Sequence, residues 1–362
     1  MIHIAVGTKA QLIKMAPVLW RLKEKNITCN FIDLGQHALI TKELRKEFGL
    51  GEPDVYLSEG KNIATIQQAL IWAMGICAKS TFSRRIKKDI FQGQGGVCLI
   101  HGDTLSTVLG LYLAKRAGLK VAHIEAGLRS FHWHEPFPEE ILRCIAVKFS
   151  DILFAPSTWA HDNLKKRGLG KKKILLAGNT GQESILFSLC KSARIGMPID
   201  NFCLVTLHRA ENIFSKKRLC FLVDIIKKAS CAMPVVFIQH EPTITQLKRF
   251  KLYLKLRDIK QTVYFKILSH HQFVYLLNQC KFVITDGGSI QEEAFYLGRP
   301  CLLLRGYTER NEGLGENAVL SRFNKPVCDY FISHSQEFAR APQQPPETPA
   351  SSIIVNSLMP YA

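Results

Sequence analysis

The stretch IHIAVGTKAQLIKMAP, residues 2–17, decides how the chain is read. Ile2–Val6 is a short apolar run of strand type. Gly7-Thr8 then turns the chain, and a helical pattern follows with Leu12, Ile13, Met15 and Ala16 on its apolar side and Lys14 early in the helix. A buried strand that passes through a small-residue turn into a helix is the opening unit of a parallel α/β sheet. Ligands of such sheets bind beyond the carboxyl ends of the strands, so the polar residues there carry the functional information.

The same alternation continues along the chain. Strands are expected at Asn30–Asp33, Val97–Ile100, Val121–Ile124 and Ile152–Ala155. A second series is expected at Ile174–Leu176, Phe202–Thr206, Val235–Ile238, Val263–Ile267, Phe282–Thr285 and Cys301–Leu304. Amphipathic stretches such as Lys14–Lys25 and Cys220–Ala229 lie between them. Two such series, broken near Gly178–Gly181, predict an α/β protein of two Rossmann-like domains whose parallel sheets face a cleft. The expected division is 1–177, then 178–340, then a Pro-rich linker and short tail at 341–362, with one closing helix in the tail.

Composition narrows the function classes. With 362 residues, 47% hydrophobic and 22% charged, the chain has the profile of a packed globular protein long enough for two domains. Met1 leads straight into the apolar run without a basic leader, so no secretory signal is expected. No apolar stretch reaches the length of a membrane helix, so no membrane partner is expected. The 11 cysteines are scattered singly without a CxxC pair. Free thiols in a reducing cytoplasm account for them, with no structural zinc. The net charge of +18 comes largely from runs at 84–88, 165–173 and 248–255, which read as solvated helix faces. Aromatics do not interleave with these runs as a nucleic-acid platform requires, whereas an acidic small substrate fits the charge.

The polar strand ends supply the candidates. After the third expected strand comes His101-Gly102-Asp103-Thr104, and after the fourth Glu125-Ala126-Gly127-Leu128-Arg129. A helix then starts at Pro138-Glu139-Glu140. In the second half, Phe202–Thr206 leads into His208-Arg209, and Phe282–Thr285 into Asp286-Gly287-Gly288-Ser289 at a helix start. Each has a bland reading. Asp103 could be a helix N-cap, Glu139 and Glu140 could complement a helix dipole, and His208 could be an ordinary satisfied histidine. His132, His134 and Glu135 resemble metal ligands but lack a partner triad, so no metal is expected, and His270-His271 reads as a helix cap. The joint pattern says more. Carboxylates Asp103, Glu125 and Glu139 come from one domain, while cations and a glycine-rich diphosphate-type turn come from the other. Carboxylates gathered in a closed cleft repel one another, so at least one should hold its proton and serve as an acid.

With these residues in place, the chain resembles the non-hydrolysing UDP-N-acetylglucosamine 2-epimerases from Ile2 to about Leu320. The matching blocks occur in order: LIKMAP to 17, LGQH at 34–37, HGDT at 101–104, HIEAGLRS at 123–130, PEE and Arg at 138–143, and GNT at 178–180. HR and EN at 208–212, TDGGSIQEEA at 285–294, LGRP at 297–300 and TER with EG at 308–313 complete the set. The resemblance implies a fold like that of the GT-B glycosyltransferases, a homodimer, and no cofactor. It implies loss of the proton at sugar carbon 2 as UDP leaves carbon 1, then re-addition through a glycal with the proton delivered to the other face. By motif, Asp103, Glu125 and Glu139 are the acid/base set and His208 joins the catalytic group. Lys9, Lys14, Arg143 and Arg209 are expected at the substrate, Gly287, Gly288 and Ser289 at the diphosphate, and Glu293 at the ribose. Gln36 and His37 match positions linked to a second, regulatory UDP-sugar.

Departures bear on the sugar. The family commonly reads GTRPE where this chain has Gly7-Thr8-Lys9-Ala10-Gln11, so a bidentate fork and a carboxylate are lost. The phosphate turn is DGGS rather than DSGG, and Gly181-Gln182 replace apolar residues after GNT. A 6-deoxy UDP-sugar for surface polysaccharide precursors therefore stays open. So do a hydrolysing epimerase, a GT-B glycosyltransferase and a UDP-sugar-binding protein without turnover.

Overall fold

The computed structural model describes every residue except 59, 61, 64, 65, 80, 81, 134, 167–170 and 192–199. The opening stretch forms strand β1 (Ile2–Val6), buried on both faces, and a helix over Lys9–Glu24. Thr8 is the helix N-cap and Gln11 reaches back to the cap backbone, a capping box that fixes the turn between strand and helix.

The first sheet also contains β2 (Cys29–Asp33), β3 (Val55–Tyr56), β4 (Val97–His101), β5 (Lys120–Ile124), β6 (Ile152–Ala155) and β7 (Lys172–Leu175). Its seven strands run in the order β3-β2-β1-β4-β5-β6-β7, with every pairing parallel. The second sheet contains β8 (Cys203–Thr206), β9 (Val235–Ile238), β10 (Thr262–Phe265), β11 (Phe282–Thr285), β12 (Cys301–Leu303) and β13 (Ala318–Leu320). Its order is β10-β9-β8-β11-β12-β13, again parallel throughout. In both sheets the strand order reverses beside the first strand. The turns after β1 and β4, and those after β8 and β11, flank the switch points where open α/β sheets bind ligands.

The alternation of side chains explains why both faces of the second sheet are covered. Cys203, Val205, Val235, Phe237 and Ile284 join one buried cluster with the helix Lys216–Ala232. Leu204, Val236, Val283 and Leu303 join another with the helices His270–Gln279 and Gly288–Tyr296. Buried parallel strands of this kind read as continuous apolar runs. In the first sheet, Ile32, Cys98, Ile100, Leu109 and Leu113 pack together, with Leu128, Leu153 and Leu164 in a smaller cluster.

The chain divides into two units. Met1–Arg129, Phe137–Ser184 and Pro345–Ala362 form one, and Ser130–Pro136 with Ile185–Gln344 the other. The tail carries a helix over Ala350–Leu358 that packs on the helix Lys9–Glu24. Its start is held by Glu183, which accepts from the Ser351 N–H and hydroxyl at 2.9 and 2.5 Å.

Two expectations need correction. The strand near Ile174 does not open the second series: β7 pairs with β6 and closes the first sheet, after a crossover through the helix Thr158–Lys166. His270 does not cap its helix, because Ser269 is the N-cap and forms a capping box with Gln272. The edge strands β3 and β13, two and three residues long, are too short to show a period in the sequence. Among the described residues no helix is long and apolar enough to cross a membrane.

Candidate active site

Glu125 lies just beyond β5, 6% exposed, with a backbone φ of 66°. A non-glycine residue in that left-handed region is held there by its surroundings, at a cost of roughly 1–3 kcal/mol. The surroundings are visible. Lys14, itself buried on the first helix, and the amide of Asn179 both contact Glu125 Oε1. His101 Nε2 lies 3.8 Å from Oε2. Two donors on one oxygen fix the carboxylate's orientation and leave the other oxygen beside the turn that follows β4.

That turn carries Asp103. Thr104, not Asp103, is the N-cap of the helix Leu105–Arg116, where it forms a capping box with Thr107. Asp103 is therefore released from the capping role and is half-buried against Arg143. Arg143 comes from the helix Glu139–Phe149 and also donates to Glu140, which Arg129 holds from the other side. Of the two acids that start this helix, Glu140 is fully buried in a three-way ion cluster while Glu139 is half-buried. Cations accompany Asp103, Glu125 and Glu140, so these carboxylates are not left to face one another bare. His123 supports the same turn from below: its Nε2 bonds the Gly102 carbonyl at 2.7 Å, and burial pushes its pKa from 6.5 down to about 4. Lys9, half-buried at the helix start, donates its backbone N–H to His37 Nδ1 at 3.4 Å. Gln36 contacts the Ser106 hydroxyl.

In the second unit, Asp286 organises the switch point. Fully buried, it accepts the N–H groups of His208 and Arg209, each at 3.0 Å, and the amide of Asn212 at 3.0 Å. The turn after β8 is thereby tied to the turn after β11. Gly287 is the N-cap of the helix Gly288–Tyr296 and, having no side chain, makes no side-chain cap bond to the first-turn N–H groups. A Cβ on Gly288 would lie 2.5 Å from Glu309 Oε1, so any larger residue there would displace the Glu309 carboxylate. Arg209 reaches Glu309 at 3.8 Å, and Arg305, 2% exposed, pairs with Glu309 at 3.0 Å. Arg305 also carries an Nη2 with no hydrogen-bond partner among the described residues. Ser289 and Glu293 are half-buried on the same helix. An uncapped helix N-terminus with cations beside it is suited to an anionic group.

The sequence reading gave no role to Asn179, His240, Asp286 or Arg305. His240 begins the turn after β9, accepts or donates at 2.9 Å to the Thr206 hydroxyl, and brings its ring to 4.8 Å from that of His208. Of the metal-like trio, His134 lies outside the described residues. His132 stacks on Tyr307, and Glu135 pairs with Arg218 at 2.6 Å.

A sequence profile described as UDP-N-acetylglucosamine 2-epimerase matches residues 21–326. The chain belongs to the UDP-N-acetylglucosamine 2-epimerase family. It is similar to the UDP-N-acetylglucosamine 2-epimerase of Methanocaldococcus jannaschii, 32% identical over 327 residues, 86% of this chain and 85% of that one. It is also similar to the UDP-2,3-diacetamido-2,3-dideoxy-D-glucuronate 2-epimerase of Pseudomonas aeruginosa, 33% identical over 313 residues, 84% of this chain and 83% of that one. The crystal structure of the M. jannaschii epimerase with UDP-GlcNAc and UDP matches with a TM-score of 0.85 at 28% identity, covering 99% of both chains. The Neisseria meningitidis epimerase bound to UDP-GlcNAc matches with a TM-score of 0.84 at 25% identity, again over 99% of both. As a member of this epimerase family, the protein is an isomerase of GT-B-like fold.

Proposed function

We propose that the protein interconverts UDP-N-acetylglucosamine and UDP-N-acetylmannosamine without hydrolysis. The second unit supplies the groups that hold UDP and the first unit those that work on the sugar ring. The observation that carries this reading is the set of oriented carboxylates, Asp103 on Arg143 and Glu125 on Lys14 and Asn179, beside the half-buried Glu139.

In the forward direction a carboxylate of this set takes the proton from carbon 2 while the bond from carbon 1 to the UDP oxygen breaks. The electron pair of the C–H bond becomes the ring's double bond, and the pair of the C–O bond leaves with UDP. That proton is not acidic by itself, so a good leaving group and positioned bases must share the barrier. His208, Arg209 and the start of the helix Gly288–Tyr296 stabilise the charge that develops on the diphosphate. Re-addition reverses these bond changes, with the proton arriving on the opposite face. Lys9 and Lys14 assist with charge, and Glu293 holds the ribose hydroxyls. The product suits surface polysaccharide precursor synthesis in the cytoplasm. A homodimer is supported by the exposed Leu70, Ile71 and Met74, which share a face of the helix Ile66–Lys79.

Proton NMR in deuterium oxide tests the reading. UDP-N-acetylglucosamine should yield UDP-N-acetylmannosamine carrying deuterium at carbon 2. Free N-acetylmannosamine plus UDP would replace the non-hydrolysing reaction with a hydrolysing one. UDP-2,3-diacetamido-2,3-dideoxy-D-glucuronate, the sugar nucleotide named for the P. aeruginosa relative, belongs in the same assay, and preferential turnover of it would reassign the substrate.

A further inference from the structure

The side chain of Gln11, 1% exposed, joins the two turns that flank the switch point of the first sheet. Its Oε1 accepts the N–H groups of Gly7 and Thr8 at 2.9 and 3.1 Å. Its Nε2 faces the His101 carbonyl at 2.8 Å, the Thr107 hydroxyl at 2.9 Å and the Thr104 hydroxyl at 3.0 Å. His101 and Thr104 are the two ends of the tetrapeptide His101-Gly102-Asp103-Thr104, so one amide grips both ends of the turn that presents Asp103. The Thr107 hydroxyl completes the clamp by donating to the same His101 carbonyl at 2.7 Å.

From this geometry we propose that Gln11 is a positioning residue for the reaction, acting through Asp103. The chemistry of the amide is what the place requires. Two backbone N–H groups on one side need an acceptor, and a carbonyl on the other needs a donor. Arg143 holds the carboxylate of Asp103, and the preceding Gly102, at φ 70°, is bonded to His123 and to the Ile124 carbonyl. Without Gln11 the His101 and Thr104 ends of the turn lose their tie to the turn after β1, while the Gly102 bonds and the ion pair stay intact. The proposal rests on the reading of Asp103 as an acid/base group. Gln11 itself touches no reacting atom in this scheme, so its effect falls on turnover rather than on binding of the nucleotide.

The test uses the full-length protein, with Gln11→Met to remove every polar contact at similar volume and Gln11→Glu to keep the acceptor for Gly7 and Thr8 while removing the donor that faces the His101 carbonyl. A misplacement near 1 Å at a reacting group costs about 100-fold, so kcat of Gln11→Met should fall by about 10- to 100-fold. KM for UDP-N-acetylglucosamine and Kd for UDP should stay within about twofold. Deuterium incorporation at carbon 2 should fall with kcat, and Gln11→Glu, which keeps only the acceptor half of the clamp, should fall between the native protein and Gln11→Met. If Gln11→Met does not fold, Thr107→Val removes the second half of the clamp and should lower kcat about tenfold with KM unchanged. Native-like kcat in the folded variants, or parallel losses in kcat, KM and UDP affinity, would overturn the positioning role while the native activity stands. A native protein that incorporates no deuterium at carbon 2 would remove the reading of Asp103 and this proposal together.

Discussion

His123 makes the acid sensitivity of this protein calculable. It is 0% exposed, its Nε2 bonds the Gly102 carbonyl, and its Nδ1 has no hydrogen-bond partner among the described residues. Burial is the largest cause of its depressed pKa, opposed by the Gly102 bond and by the negative charges of Asp103 and Glu125. The unfolded chain protonates this ring near 6.5 and the folded protein only near 4. Between those values the unfolded state binds the extra proton, so stability rises with pH there and is lost as pH falls from 6.5 toward 4. At about 1.4 kcal/mol per pH unit the full loss is about 3 kcal/mol. The substitution His123→Gln keeps an N–H donor near the Nε2 position and removes the titration. Urea unfolding of native and variant protein at several pH values between 7.5 and 4 measures the difference directly. His3, also depressed to about 4 by burial, titrates in both proteins and cancels. The native protein should lose about 3 kcal/mol more than the variant on acidification. A difference that stays flat with pH would refute the argument that burial of a neutral His123 controls this part of the acid transition.

Three further outcomes follow from the same contacts. Arg143→Met leaves the fully buried Glu140 with Arg129 as its remaining cation and should destabilise the fold by about 3–5 kcal/mol in chemical denaturation; a loss below about 1 kcal/mol would mean Glu140 is compensated elsewhere. Asp286→Asn turns one of two accepting oxygens into a donor facing backbone N–H groups, so UDP affinity measured calorimetrically should weaken about tenfold or more, and unchanged affinity would separate the turn from the diphosphate. Asp103→Asn, Glu125→Gln and Glu139→Gln should each lower turnover by about 10²- to 10⁴-fold in the NMR assay while UDP still binds; near-native turnover in all three would sink the acid/base assignment.

Much of the fold was legible because the sheets are parallel and buried. Runs such as Val97–Ile100 and Phe282–Ile284 have no charged or hydroxyl-bearing member and read as interior strands. The strand expected at Ile174–Leu176 belongs to the first sheet as β7 rather than to the second series, because its pairing with β6 at the sheet edge is a tertiary fact that a short run does not encode. The site was legible as a list of strand-end residues, since chemistry collects there. Its wiring was not. Gln11 reads in the sequence as a missing carboxylate, and only the positions of Gly7, Thr8 and the His101 carbonyl show why an amide fits. Asn179 lies 54 residues from the carboxylate it holds, and His240 lies 32 from His208, separations at which sequence spacing carries no signal.

The two sheets offer an internal control on how much strand position alone can say about function. Both have the same order around the switch point, and in both the strand across the reversal from the first, β4 or β11, is followed closely by an aspartate. Topology therefore gives Asp103 and Asp286 equal claims to a chemical role. Their partners separate them. Asp286 is fully buried and occupied by two backbone N–H groups and an amide, so its charge goes into fixing the loops, and it has no exposed edge to offer a substrate. Asp103 stands one residue further out, two past the end of β4 and beyond a left-handed glycine, with a side chain 27% exposed and Arg143 behind it. A carboxylate steered by one charged neighbour and open on its other side can accept or return a proton; one enclosed by three donors cannot do so without dismantling the turn. One residue of extra reach, made possible by Gly102 and clamped by Gln11, thus converts a structural aspartate position into a candidate acid/base position.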